Sequence, residues 1–180
     1  MIKIAILGPE STGKTELTQQ LAKHFKTSWV PEYAREYVEK LLEPYTYEDV
    51  CKIAERQIEE ENKYNKDTTK NLIFFDTELI ITKVWFEYKF NKVPEFVTNW
   101  MQDHSFEFYL LCAPDLEWEF DPVREHGDDR DYFFDWYQRE IEQTTKPYVI
   151  VKGFGNQRFQ NALQAIEQQF KNYTILSSNE

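Results

Sequence analysis

Gly8-Pro9-Glu10-Ser11-Thr12-Gly13-Lys14-Thr15 sets two glycines, a lysine and a hydroxyl at the spacing G-x-x-x-x-G-K-T. That spacing builds a loop whose successive main-chain N–H groups converge on phosphate oxygens. The glycines let the backbone curl, and the helix that follows adds orphan N–H groups and its positive dipole end. In such a P-loop, Lys14 reaches the β- and γ-phosphates of a nucleoside triphosphate and the Thr15 hydroxyl ligates Mg²⁺. Gly8, Glu10, Ser11, Thr12, Gly13, Lys14, Thr15 and Glu16 are therefore the nucleotide-binding candidates. The bland alternative is a glycine turn that happens to carry a lysine. It has no need of the strand-like run before the motif and the helical pattern after it.

Carboxylates come next. Asp76 ends the apolar run Leu72-Ile73-Phe74-Phe75, where a Walker-B aspartate would hold Mg²⁺ or its water. The competing role is a cap for a helix starting near Thr77. Glu78 either reaches the same crevice as a substrate contact or sits in the first helical turn. Glu32 follows Val30-Pro31 and is placed to accept or orient the proton of an attacking hydroxyl. Arg35, one helical turn later, either grips a phosphate or substrate oxygen or pairs with Glu32.

The segment from Glu117 to Asp131 is charged and lacks strand periodicity. It is the candidate lid, about residues 117–131, with Arg124 and Arg130 as the catalytic cations for a transferring phosphoryl group. Surface pairing with neighbouring acids is the other reading of both arginines. Trp118 stacks on a flat base or serves as a core residue. Gly153-Phe154-Gly155-Asn156 is either an adenine-side loop, with Asn156 touching the nucleotide, or a plain turn.

These residues need a frame. Short apolar runs predict strands at Ile2–Leu7, Ser28–Val30, Leu72–Phe75, Phe106–Cys112 and Tyr148–Val151. Helical patterns lie between and after them: Lys14 to about Phe25, Glu32–Leu42, Tyr47 to about Asn65, Thr77–Phe90, Pro94–Gln102, Asp131–Thr144 and Asn156–Phe170. Strands alternating with helices imply an α/β fold with a parallel sheet covered on both sides. By analogy, a P-loop after the first of five strands suggests a three-layer nucleoside-kinase-like fold with strand order 2-3-1-4-5. The acidic run Glu59-Glu60-Glu61 reads as a solvated helix face.

Length and composition bound the rest. At 180 residues the chain is expected to be one domain with a real core. No stretch has the length of a membrane span and the start lacks a signal-peptide layout, so a cytoplasmic location without membrane partners is expected. Cys51 and Cys112 read as reduced thiols, and His24, His104 and His126 form no zinc pattern. A net charge of -11 argues against a nucleic-acid partner but not against ATP, which local dipoles and a few cations grip.

With these motifs in view, the chain resembles the ribosylnicotinamide kinase domain of bacterial NadR-type proteins. The resemblance rests on Gly8–Thr15 followed by Leu17, on Glu32-Tyr33-Ala34-Arg35-Glu36-Tyr37 and on Phe75-Asp76-Thr77-Glu78, with a weaker match over Trp118–Arg124. It implies ATP- and Mg²⁺-dependent phosphorylation of the 5′-hydroxyl of nicotinamide riboside to nicotinamide mononucleotide. It also implies Tyr33 and Trp118 near the nicotinamide, with Glu32, Arg35, Glu78 and Asp121 among the acceptor contacts. Seven residues precede the P-loop, so the family's adenylyl-transfer and repressor roles are not expected here. The Asp128-Asp129-Arg130-Asp131 lid departs from the family pattern.

Among broader classes, a regulatory GTPase needs D-x-x-G after the third strand, which Asp76-Thr77-Glu78-Leu79 lacks. Its N-K-x-D reader is missed by one position at Asn65-Lys66-Asp67-Thr68. An ATPase motor would want an extra helical domain for which 180 residues leave little room. The runner-up is another nucleoside or nucleoside-monophosphate kinase.

Overall fold

All six residues of β1 (Ile2–Leu7) are buried, as a strand covered on both faces must be. The computed structural model describes residues 1–65, 71–119 and 129–171, and it surrounds β1 with α1 (Lys14–His24), β2 (Trp29–Val30), α2 (Tyr33–Glu39), α3 (Tyr47–Asn65), β3 (Leu72–Asp76), α4 (Leu79–Phe90), α5 (Glu95–Asp103), β4 (Phe108–Cys112), α6 (Arg130–Gln143), β5 (Tyr148–Val151) and α7 (Asn156–Gln169). The five strands form one parallel sheet, as the alternation of strands and helices implies, in the order β2-β3-β1-β4-β5 expected by analogy. Ile6 stands opposite Asp76 and Leu7 opposite Leu111, so the ends of β1, β3 and β4 lie level.

Alternation along the strands splits the core. Ile4, Ile6, Phe74 and Leu110 face Leu17 and Leu21 of α1 and Ala162 and Ile166 of α7. Ala5, Leu7, Ile73, Phe75 and Leu111 face Ile80 and Val84 of α4 and Phe133 and Ile141 of α6. Each such Val, Leu, Ile or Phe side chain contributes roughly 1.5–3 kcal/mol by leaving water. Outside the second face, Val50 and Ala54 of α3 pack with Phe86 of α4 and Val97 of α5.

Two local expectations are corrected. The run Glu59-Glu60-Glu61 is not uniformly solvated: Glu61 is 5% exposed, receives the Lys3 ammonium at 2.7 Å, and accepts from the Trp100 indole at 2.9 Å. Lys3 sits inside a buried strand and needs an anion, which draws the inner edge of α3 onto the sheet. The fourth helix begins at Leu79 rather than Thr77, because Thr77 takes φ 77° and Glu78 becomes the cap, accepting from the Ile80 N–H at 3.0 Å. Among the described residues no helix is long and apolar enough to cross a membrane.

Candidate active site

Parallel strands share one exit edge, and the connections leaving it gather the chemistry. At the exit of β1, Gly8 has φ 145°, and a Cβ there would lie 2.7 Å from the Cys112 carbonyl oxygen. Glycine is thus required for the loop to pass β4. Gly13, at φ 71°, is the N-cap of α1 and offers no side-chain acceptor, so the first N–H groups of that helix point toward the loop. Thr12 is buried, and its hydroxyl donates to the Pro9 carbonyl at 2.8 Å, closing the loop. The Lys14 ammonium donates to the same carbonyl at 2.9 Å and so lies across the loop.

Beneath the loop, the Thr15 hydroxyl donates to Asp76 Oδ2 at 2.6 Å. Asp76 is 2% exposed, and its Oδ1 has no hydrogen-bond partner. Burial first, and the nearby Glu32 carboxylate second, push the Asp76 carboxyl up to about 6, while Lys14 and the Thr15 hydroxyl oppose the shift. A buried carboxylate with one oxygen unmatched, next to a hydroxyl, is a hard-oxygen donor pair that suits a small divalent cation. Among the described residues no three His, Cys, Asp or Glu side chains group as a metal cage.

The loop forms one wall of a cavity of about 370 Å³. Gly8, Glu10, Ser11, Thr12, Gly13, Lys14, Thr15 and Glu16 all line it, so the nucleotide candidates stand together. Glu32 and Arg35 line it from α2. Glu32 caps α2 without a side-chain hydrogen bond to that helix, leaving its carboxylate to the cavity, and Arg35 pairs with Glu39 at 2.9 Å. The far wall is aromatic: Tyr45, Trp85 and Tyr88, with Phe133 and Tyr137 of α6. Tyr45 and Trp85 meet edge to face at 4.7 Å, and Tyr88 meets Phe133 the same way at 5.0 Å. The Lys89 ammonium lies 5.9 Å from the Tyr45 ring centre and 5.8 Å from that of Tyr88, so these rings already meet a cation. Burial, then the Glu10 and Glu32 carboxylates, raise the Tyr137 phenol, which puts both acids near this wall.

Other expected site residues stand apart from the cavity. Tyr33 and Glu78 line a second void of about 20 Å³, which Asp76 lines as well, so Glu78 shares a crevice with Asp76 while also capping α4. Tyr33 packs on Tyr37 at 5.9 Å under the Arg56 guanidinium, and Glu78 is pushed up to about 8, chiefly by burial. Trp118 is 37% exposed, next to Glu119, whose N–H donates to the Ser11 hydroxyl at 3.2 Å. Arg130 opens α6 and donates to the Leu116 carbonyl at 2.8 Å. Asn156 opens α7 and is not among the residues lining the cavity. Arg124 and Asp121 lie outside the described residues.

Sequence reasoning missed the aromatic wall and one buried arginine, Arg158. Ile81, Trp85 and Tyr88 do share a helical stripe, but a stripe of that composition reads equally well as core. Arg158 carries no local signal at all.

The protein is similar to known ones over most of its length. A family described as AAA domain matches residues 3–158. Two proteins called trifunctional NAD biosynthesis/regulator protein NadR, from Salmonella typhimurium strain LT2 and Escherichia coli strain K12, are 27% and 28% identical over 158 residues. The alignments cover 83% of this chain and 38% of each relative, so the chain spans well under half the length of these relatives. Among solved structures, NadR in complex with NAD and AMP-PNP superposes with a TM-score of 0.77 at 20% identity, over 93% of this chain and 49% of that one. Deoxyadenosine kinase from M. mycoides, with products dCMP and a flexible dCDP, gives 0.67 at 14% identity over 93% and 100%. These superpositions show the shared fold.

Proposed function

This chain belongs to the AAA-domain family, and from that premise we propose that it is an ATP- and Mg²⁺-dependent kinase that phosphorylates the 5′-hydroxyl of nicotinamide riboside, giving nicotinamide mononucleotide in NAD salvage. The observation that carries the reading is the Thr15–Asp76 pair, at 2.6 Å, set beneath a phosphate loop that opens on a cavity holding Glu32. The NadR relatives support the choice of chemistry, with NAD biosynthesis in their name.

The main-chain donors at Gly8–Thr15 and the Lys14 ammonium take the triphosphate. Thr15 and Asp76 would hold Mg²⁺, which neutralises charge on the phosphoryl oxygens when bound. Glu32 orients the attacking hydroxyl and accepts its proton as the O5′–P bond forms, while the bond from the γ-phosphorus to the β,γ-bridging oxygen breaks and ADP leaves with that electron pair. Arg35 contributes positive charge from the cavity rim, and Arg124 or Arg130 does so from a lid at about residues 117–131 of a single kinase domain. The nicotinamide ring of the acceptor carries a positive charge. It fits a cavity lined by the rings of Tyr45, Trp85 and Tyr88 and by the carboxylates of Glu10, Glu16 and Glu32. Tyr33, Trp118, Glu78 and Asp121 are thereby left to supporting roles. A cytoplasmic location, beside the ATP pool, goes with this reading.

The test is a coupled ADP-release assay over nicotinamide riboside, the common nucleosides and their monophosphates. ADP release that depends on nicotinamide riboside is expected. Release independent of any acceptor would replace the kinase with an ATPase, and release driven by a monophosphate would replace the acceptor.

A further inference from the structure

Arg158 stands in the first turn of α7 and is only 4% exposed. A guanidinium keeps its charge when buried, so such a position demands fixed partners. Nη1 donates to the carbonyl of Val151, the last residue of β5, at 2.9 Å. Nη2 donates to the Ala113 carbonyl, just past β4, at 2.7 Å and to Asp115 Oδ1 at 2.8 Å. The other oxygen of Asp115 accepts from the Gly153 N–H at 2.8 Å. One ion pair, buried at Arg158 and half-buried at Asp115, thereby ties together the connections leaving two neighbouring strands.

The same pair lies under the phosphate loop. Arg158 Nε is buried with no hydrogen-bond partner, and a Cβ on Gly13 would come 4.0 Å from it. Leu116, in the segment that Arg158 holds, would come 3.2 Å from that same Cβ. Arg130 grips the Leu116 carbonyl at 2.8 Å, and the Ser11 hydroxyl meets the Glu119 N–H at 3.2 Å. Residues 113–119 therefore run along the loop, fastened from α7, from α6 and from the loop itself.

Resting on the reading of the loop as a triphosphate site, we propose that Arg158 and Asp115 are positioning residues for the donor nucleotide. They fix Ala113–Leu116 against Gly13, and so hold the first N–H groups of α1 in the orientation that grips phosphate. Without the guanidinium, two carbonyls and a carboxylate lose their shared donor, and the segment under Gly13 is free to shift. A displacement near 1 Å in a positioned group is enough to change a rate by roughly 100-fold. Neither residue lines the cavity, and Arg158 approaches it at Gly13 of the phosphate loop, so the effect is expected on the donor.

The experiment titrates Mg-ADP into the full chain by calorimetry without acceptor, beside steady-state constants for both substrates and the melting temperature. Arg158→Ala is expected to weaken ADP binding about 10-fold or more, and Asp115→Asn by about 3- to 10-fold, with the acceptor KM within about 2-fold of wild type. Arg158→Lys, which retains charge but not the fork, should recover part of the loss. The double variant should match Arg158→Ala, because the two residues act as one unit. Unchanged ADP affinity in the variants overturns the proposal, and so do donor and acceptor constants that worsen in parallel with a falling melting temperature. If Arg158→Ala does not fold, Asp115→Asn decides alone, since its carboxylate is 29% exposed and substitution there leaves the core intact. A wild-type chain that fails to bind ADP overturns the kinase reading and this one together. Wild-type binding that the variants do not alter overturns this one only.

Discussion

The phosphate-loop side and the aromatic side of the cavity, which we propose take the donor and the acceptor, are built by opposite means. The phosphate loop is eight consecutive residues whose path is set by glycines at φ 145° and 71°, and whose main chain would do the recognition. The aromatic wall draws on α4, α6 and the connection before α3, each contributing one or two rings. A site made from local backbone tolerates little change in residue type but carries its own signature. A site made from distant side chains can be retuned ring by ring, which is where acceptor choice is expected to reside.

Substitutions on the two sides should therefore fail differently. Lys14→Ala should lower kcat by roughly 10³-fold or more, through lost charge stabilisation, with little change in melting temperature. A loss under tenfold would contradict a donor side centred on this loop. Asp76→Asn should also abolish most turnover, yet it should stabilise the metal-free protein. The folded state holds the Asp76 proton more tightly than the unfolded chain does, the carboxyl moving from the ordinary 3.8 to about 6. Acid therefore favours folding at this position, and stability is lost as pH climbs through that window. Urea unfolding at pH 7 should show a gain of about 2–3 kcal/mol for the variant, shrinking toward pH 4. Equal stability at both pH values would count against a strained buried carboxylate.

Glu32→Gln probes the seam between the two sides. Its kcat should fall by about 10²-fold while the KM for ATP moves by less than about 3-fold. A rise in the ATP KM with an intact kcat would move Glu32 to the donor side. The smallest effect is expected from the aromatic wall. Trp85→Leu should raise the acceptor KM by about 10-fold, the size of one ring–cation contact, and leave the ATP KM unchanged. If instead the KM for ATP rose, the division between donor and acceptor walls would fail.

How much of this was legible depended on distance along the chain. The loop could be read because its chemistry and its spacing are the same thing. Asp76 could be read because an apolar run delivered it to a strand end. Its two roles could not be separated in one dimension, and in the fold Glu78 takes the cap while Asp76 keeps the Thr15 hydroxyl. Tyr33 and Trp118 were expected near the acceptor through resemblance. In the structure, Tyr33 lies against Tyr37 and Arg56, and the cavity rings come from residues that read as core. Glu61 looked solvated within its acidic run, because nothing nearby in sequence shows that Lys3 waits in a strand 58 residues away.

Local spacing and hydrophobic periodicity were enough to specify the phosphate loop, the alternation of strands and helices, and the carboxylates at strand ends, since each depends on neighbours a few residues apart. Packing alone determined which rings wall the cavity, which acid meets Lys3, and that Arg158 lies buried beside Gly13. Those outcomes depend on which helices the sheet brings face to face, and the free energy of such contacts exists only once the chain has closed over its core.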